Sequence, residues 1–318
     1  MPKIFITRTL PKIAEEILHK HHFEVTTFSK NRSITKRELI KEASDADGII
    51  SLLTDPIDKD VIDNLKCCKV IANYAVGYNN IDTNYARKKN IIVTNTPDIL
   101  TDATADLTLT LILSCARRLV EGDKMIRTNK FKGWSPNLLL GTDINNKILG
   151  VIGAGRIGSA VIKRASAFGM KSIYYNRSRN LEIENLYSSK KVSLDYLLKN
   201  SDVISIHLPL NPGTKNLLNK EKLSLLKNHS ILINTARGEI IDENHLIQLL
   251  KMKKIFAAGL DVYVNEPNIN IKFLKLSNVI LAPHIGSATI ETRSKMAELA
   301  VKNVINVLKG KKPLTPVV

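Results

Sequence analysis

The chain has 318 residues, enough for about two domains, and 44% hydrophobic with 24% charged residues suits large cores in a soluble protein. Its longest apolar runs, such as LTLTLILS (107–114), fall far short of the roughly 20 residues that span a bilayer, so no membrane partner is expected. The formal charge of +17 raises nucleic acid, yet the lysine pairs are scattered (88–89, 190–191, 253–254, 311–312) and no basic stretch carries interleaved aromatics; the charge reads as a Lys-rich compositional bias, with a positive field that helps to gather anionic substrates as a milder second reading.

The opening MPKIFITRT has no apolar core of signal-peptide type and reads as a first strand. Cys67, Cys68 and Cys115 make no disulfide framework, which fits reduced thiols in a cytoplasmic protein. Neither the adjacent cysteines nor His19, His21 and His22 have spacing suited to a metal, so none is expected.

Strand-length apolar runs then alternate with helical patterns almost throughout, which predicts an α/β fold with parallel sheets. The first hundred residues offer strands at 3–7, 24–28, 48–53, 70–75 and 91–96. Residues 101–120 read as one long helix with acids in its first turn and Arg117 and Arg118 in its last. The stretch 121–146, with the only tryptophan, Trp134, is the least regular. Six more strands follow at 147–153, 172–176, 203–208, 230–236, 257–262 and 279–283, and a closing helix runs up to Gly310 and Pro313.

The run KILGVIGAGRIGSAVIKRASAFG carries G-x-G-x-x-G at Gly153, Gly155 and Gly158 between a buried-type strand and an amphipathic helix. That context makes a weak pattern specific: one glycine turns the chain, one admits a pyrophosphate, and one packs helix on strand. An NAD site places an acid near the end of the next strand. Here that end reads Asn176, Arg177, Ser178, Arg179. A carboxylate would repel a 2′-phosphate, whereas guanidinium groups and a hydroxyl bind one, so NADP(H) is the preferred cofactor and NAD(H) the second.

Three later strands end in polar residues: Arg237 in NTARG, Glu266 in DVYVNEP and His284 in APHIGS. Ligands of parallel sheets lie outside the carboxyl ends of the strands, so all three converge on the cofactor side. An arginine clamps a carboxylate, a histidine donates a proton near neutral pH, and a carboxylate beside it stabilises the charged imidazole.

With VGYNNID (76–82), TPDILTDATAD (96–106), INTARGEIIDE (233–243), AAGLDVYVNEP (257–267) and PHIGSAT (283–289), the chain resembles the D-isomer-specific 2-hydroxyacid dehydrogenases over essentially its whole length, and the glyoxylate/hydroxypyruvate reductases most among them. The resemblance implies a flavodoxin-like substrate domain, residues 1–98 with 290–318, into which a Rossmann dinucleotide-binding domain, residues 99–289, is inserted. It makes His284 the acid–base residue, Glu266 its partner and Arg237 the substrate carboxylate clamp. The backbone of Val76 and Gly77 would hold the other side of that carboxylate, with Leu52 and Leu53 near the substrate side chain.

To the cofactor the resemblance assigns Thr104, Gly153, Ala154, Gly155, Arg156, Ile157, Gly158, Asn176, Arg177, Ser178, Arg179, Leu208, Pro209, Thr214, Thr235, Ala236, Asp261 and Gly286; the loop of His207 runs along it, with no direct role for the imidazole. It also implies a homodimer in which Trp134, on a dimerisation arm, approaches the partner's substrate pocket. The expected reaction is NADPH-dependent reduction of a small 2-oxo acid, glyoxylate or hydroxypyruvate. The alternatives are enzymes like 3-phosphoglycerate or D-lactate dehydrogenase, or a cofactor-sensing corepressor of the same fold.

Overall fold

A computed structural model describes residues 1–317, in two compact units: residues 1–100 with the chain from Ser287, and residues 101–286. In the first, β1 (Lys3–Ile6), β2 (Glu24–Thr27), β3 (Gly48–Ser51), β4 (Val70–Asn73) and β5 (Ile92–Thr94) form a parallel sheet of order β2-β1-β3-β4-β5. Alternate residues serve opposite faces: Phe5, Ile49 and Ile71 pack with Leu39, Val61 and Ile62, while Ile4, Ile6, Ile50 and Val70 pack under Ala297, Val301 and Val304 of the helix Ile290–Leu308. β3 and β4 are therefore buried along their whole length, as continuous apolar strands of a parallel sheet are. The sheet is of the flavodoxin type.

The second unit holds β6 (Ile148–Ile152), β7 (Lys171–Tyr175), β8 (Lys190–Lys191), β9 (Val203–Ile206), β10 (Ile231–Asn234), β11 (Ala257–Leu260) and β12 (Val279–Leu281). All pair in parallel, in the order β12-β11-β10-β9-β6-β7-β8, so the winding reverses between β6 and β9, and ligands of such sheets bind at that reversal.

Two sequence expectations need correction. The helix expected over 101–120 stops at Ala116; Arg118 turns left-handed (φ 53°) and a second helix, Leu119–Arg127, begins. The returning chain enforces the break, because the Thr142 amide caps the Ala116 carbonyl at 2.9 Å and a side chain at Gly141 would lie 2.1 Å from that oxygen. The other is β8, which carries no apolar signal: its two exposed lysines form a short charged edge strand that discourages further pairing. The remaining expected strands are all present, and nearly all are slightly shorter at their ends, where the chain leaves the ladder.

Cys68 and Cys115 are buried, which pushes each thiol up to about 12. Among the described residues no group of His, Cys, Asp or Glu is arranged to hold a metal ion, and no helix is long and apolar enough to cross a membrane.

Candidate active site

The glycine turn leaves β6 at the reversal point, and each glycine answers a different constraint. Gly153 has φ +98°, and a side chain there would strike the His207 carbonyl group at 2.8 Å, so the turn lies flush against the exit of β9. Gly158 presses on the Gly153 oxygen, where a side chain would come within 2.2 Å, and seats the helix Arg156–Ala167 on the turn. At Gly155 a side chain would meet nothing within 4 Å; this is open space at the N-terminus of a twelve-residue helix. A positive dipole end with clearance for an anion fits a dinucleotide pyrophosphate. Ala154, Arg156 and Ile157 complete this turn.

Beyond β7, Arg177, Ser178 and Arg179 are exposed, and Asn176 is half-buried at the strand end. Sequence reasoning missed three residues here. Asn180 donates to the Ala154 carbonyl and to Ser159 Oγ, both at 3.0 Å, and so fastens the arginine loop to the glycine turn. Its signal was present, since it caps the helix Leu181–Tyr187. Glu184, from that helix, pairs with Arg179 and accepts from the buried Tyr174 hydroxyl at 2.5 Å; Arg179 first and Tyr174 second hold its carboxyl below the usual value. The loop thus has no acid of its own, but the fold returns one to it. Lys191, on β8, donates to the Arg177 carbonyl at 2.8 Å.

Arg237, Glu266 and His284 come together at the exits of β10, β11 and β12. Asn234, at the end of β10, donates to the Arg237 carbonyl and accepts from the Ala236 amide, shaping the turn that presents the arginine. Gly238 allows this turn to press on the next one, for a side chain there would lie 2.1 Å from the Tyr263 carbonyl carbon. Burial draws the Arg237 guanidinium below its ordinary pKa, and the nearby Glu266 and Glu239 carboxylates partly offset that.

Glu266 accepts from the Tyr263 amide at 2.9 Å and meets His284 Nδ1 at 2.7 Å. Burial disfavours its charge, yet the bond and charge of His284, the Tyr263 amide and Arg237 together hold its pKa below the ordinary value. His284 stands at φ +54°, a conformation fixed by Asp261, whose two oxygens take the Ile285 and Gly286 amides at 2.7 and 2.8 Å. Tyr263 ties the neighbouring strand exits by donating to the Leu260 and Ala282 carbonyls.

Thr104 donates to the Gly286 carbonyl at 3.1 Å, and the Thr108 and Thr235 hydroxyls meet at 3.1 Å, so the cofactor-assigned Thr104 and Thr235 help to hold strand exits. Thr214 donates to the Pro209 carbonyl at 2.6 Å and folds the loop after β9, and Leu208 abuts the glycine turn. His207 hydrogen-bonds Ser205 at 2.8 Å, and its burial lowers the imidazole to about 3, so it is neutral. Trp134 is 83% exposed, near exposed Phe131 on the same irregular segment. In the first unit, Leu52 and Leu53 follow β3, and Val76 and Gly77 follow β4, all half-buried.

Residues 109–286 match the family model described as D-isomer specific 2-hydroxyacid dehydrogenase, NAD binding domain. The chain is 46% identical to a glyoxylate reductase of Thermococcus litoralis, over 98% of this chain and 95% of that one. A crystal structure of a protein from Thermus thermophilus superposes with a TM-score of 0.94 at 44% identity, covering 99% of this chain and all of the other. That of an NADPH-dependent glyoxylate/hydroxypyruvate reductase from Sinorhizobium meliloti, in complex with NADP and malonate, gives 0.89 at 30%, covering 100% and 97%.

Proposed function

The chain belongs to the D-isomer-specific 2-hydroxyacid dehydrogenases, and we propose that within that family it reduces glyoxylate or hydroxypyruvate with NADPH as the preferred dinucleotide. The observation that carries this reading is the 2.7 Å contact of His284 Nδ1 with Glu266 in a turn that Asp261 fixes, with Arg237 at the neighbouring strand exit. With Nδ1 engaged by a carboxylate, Nε2 of the imidazolium is the nitrogen that donates to a carbonyl oxygen. Glu266 stays ionised and stabilises the charge that His284 carries before it gives up the proton. Arg237, permanently charged and half-buried, binds the carboxylate of the 2-oxo acid in fork geometry.

The dinucleotide, when bound, supplies the hydride; the glycine turn holds its pyrophosphate, and Arg177, Ser178 and Arg179 read its 2′-phosphate. One proton from His284 and one hydride at the carbonyl carbon give the 2-hydroxy acid. The backbone of Val76 and Gly77 holds the other side of the substrate carboxylate. The active species is a homodimer in which the exposed Trp134 narrows the partner's substrate pocket. NADPH and NADH oxidation, followed by nicotinamide absorbance over a panel of 2-oxo acids, tests the reading. Fastest turnover is expected for glyoxylate or hydroxypyruvate with NADPH, and no turnover of any 2-oxo acid overturns it.

A further inference from the structure

The first unit contains a set of hydrogen-bonded asparagines, none of which any part of the reaction above uses. Asn95, just past β5, donates from Nδ2 to the Val76 carbonyl at 2.8 Å. Asn73, fully buried at the end of β4, donates to the Gly77 carbonyl at 2.8 Å and accepts from the Ser51 hydroxyl at 3.1 Å. Asn80 donates to the carbonyls of Leu52 and Asp55, each at 3.0 Å, and the buried Asp55 accepts the Leu52 amide at 2.7 Å. The turns after β3 and β4, on neighbouring strands, are thereby held through their backbone carbonyls, and the first of them through the Leu52 amide as well.

A trans peptide is flat, with its N–H opposed to its C=O, so a donor that fixes one carbonyl also aims the amide bonded to it. Asn95 on the Val76 carbonyl sets the direction of the Gly77 N–H. By the same geometry Asn80, on the Leu52 carbonyl, sets the Leu53 N–H. Asn95 is itself anchored: its carbonyl accepts from the Thr315 hydroxyl at 2.6 Å. Thr315 is held in turn by Asn303, fully buried in the helix Ile290–Leu308, at 2.8 Å. A chain of side chains thus runs from the closing helix to one peptide plane.

We propose that Asn95 is a positioning residue that aims the Gly77 backbone amide at the substrate carboxylate, with Asn73 holding the following peptide through the Gly77 carbonyl and Asn80 and Asp55 holding the adjoining 52–53 turn in register. The assignment rests on the functional reading above, in which that backbone binds the carboxylate. Oriented amides bind an anion well only when their directions are fixed beforehand, and asparagines fix them without placing a charge beside the anion.

The test uses the full-length enzyme with Asn95→Ala, the similarly sized and uncharged Asn95→Leu, which removes the donor, and Asn73→Ala. Both Asn95 variants should raise the KM for glyoxylate and the Ki of the unreactive analogue oxamate together, by about tenfold, the scale of one lost hydrogen bond. The NADPH Kd and kcat should stay within about twofold, a split that simple loss of folded enzyme does not produce, since that lowers kcat alone. If Asn95→Ala melts too early to assay, the Asn95→Leu and Asn73→Ala variants carry the same comparison. An active wild type whose KM and Ki are unmoved in the folded variants overturns this assignment alone. A wild type inert towards every 2-oxo acid overturns the functional reading and this assignment with it.

Discussion

If the loop beyond β7 reads a 2′-phosphate as proposed, cofactor choice turns on how positive charge is distributed there. Arg179 is already paired with Glu184, whose carboxyl is held ionised by that arginine and by Tyr174, so the pair carries no net charge. Arg177 is exposed, and Lys191 fastens its backbone rather than its guanidinium. The discriminating charge therefore belongs mainly to Arg177. Hydrogen bonds to charged groups contribute about 1.5–3 kcal/mol, so Arg177→Ala should weaken NADPH binding roughly 10- to 150-fold and leave NADH nearly unchanged.

Glu184→Gln keeps an acceptor for Tyr174, removes the negative charge and releases Arg179, which should tighten NADPH about two- to fivefold. Equilibrium titrations that follow nicotinamide fluorescence, at low and high salt, give both constants, and the salt dependence should be steeper in Glu184→Gln. The reasoning fails if Arg177→Ala leaves the NADPH/NADH ratio unchanged, or if Glu184→Gln weakens NADPH.

Replacing His284 by Ala should lower kcat by about 10²–10⁴ while dinucleotide Kd is preserved; a parallel loss of binding would assign it to the cofactor instead. Glu266→Gln removes the negative charge that meets His284 Nδ1 at 2.7 Å and should lower kcat about tenfold or more with dinucleotide Kd preserved, and an unchanged kcat would make Glu266 purely structural. Burial holds the His207 imidazole at about 3 against an ordinary 6.5, so between those values the unfolded chain takes up a proton that the folded one refuses. Stability contributed by this site is present above about 6.5 and lost as pH falls towards 3. His207→Gln should accordingly show a smaller drop in Tm than the wild type when the pH is lowered from neutral to a point between those two values. Trp134→Ala should leave NADPH affinity intact but weaken discrimination between glyoxylate and the bulkier 2-oxoisocaproate, read as the ratio of their kcat/KM values. An unaltered ratio in a mutant that still sediments as a dimer would make the tryptophan a surface residue only.

The glycine turn was readable from the sequence because its demands are local: a positive φ at Gly153 and clearance at Gly155 are met, or not, within a few residues of chain. The strands were readable for the same reason, since burial on both faces of a parallel sheet leaves continuous apolar runs such as those of β3 and β4. Arg237, Glu266 and His284 stood out as polar residues at apolar strand ends, but the 2.7 Å between Glu266 and His284 exists only because the order β10-β11-β12 sets their exits side by side. The end of the Thr101–Ala116 helix was invisible, because the amide that caps it belongs to Thr142, on the returning chain. The Arg179–Glu184 pair and the asparagines behind residues 76–77 were hidden for a like reason: asparagine and glutamate are ordinary surface residues in a sequence, and only the meeting of separate strands, turns and helices gives their donors and acceptors something definite to hold.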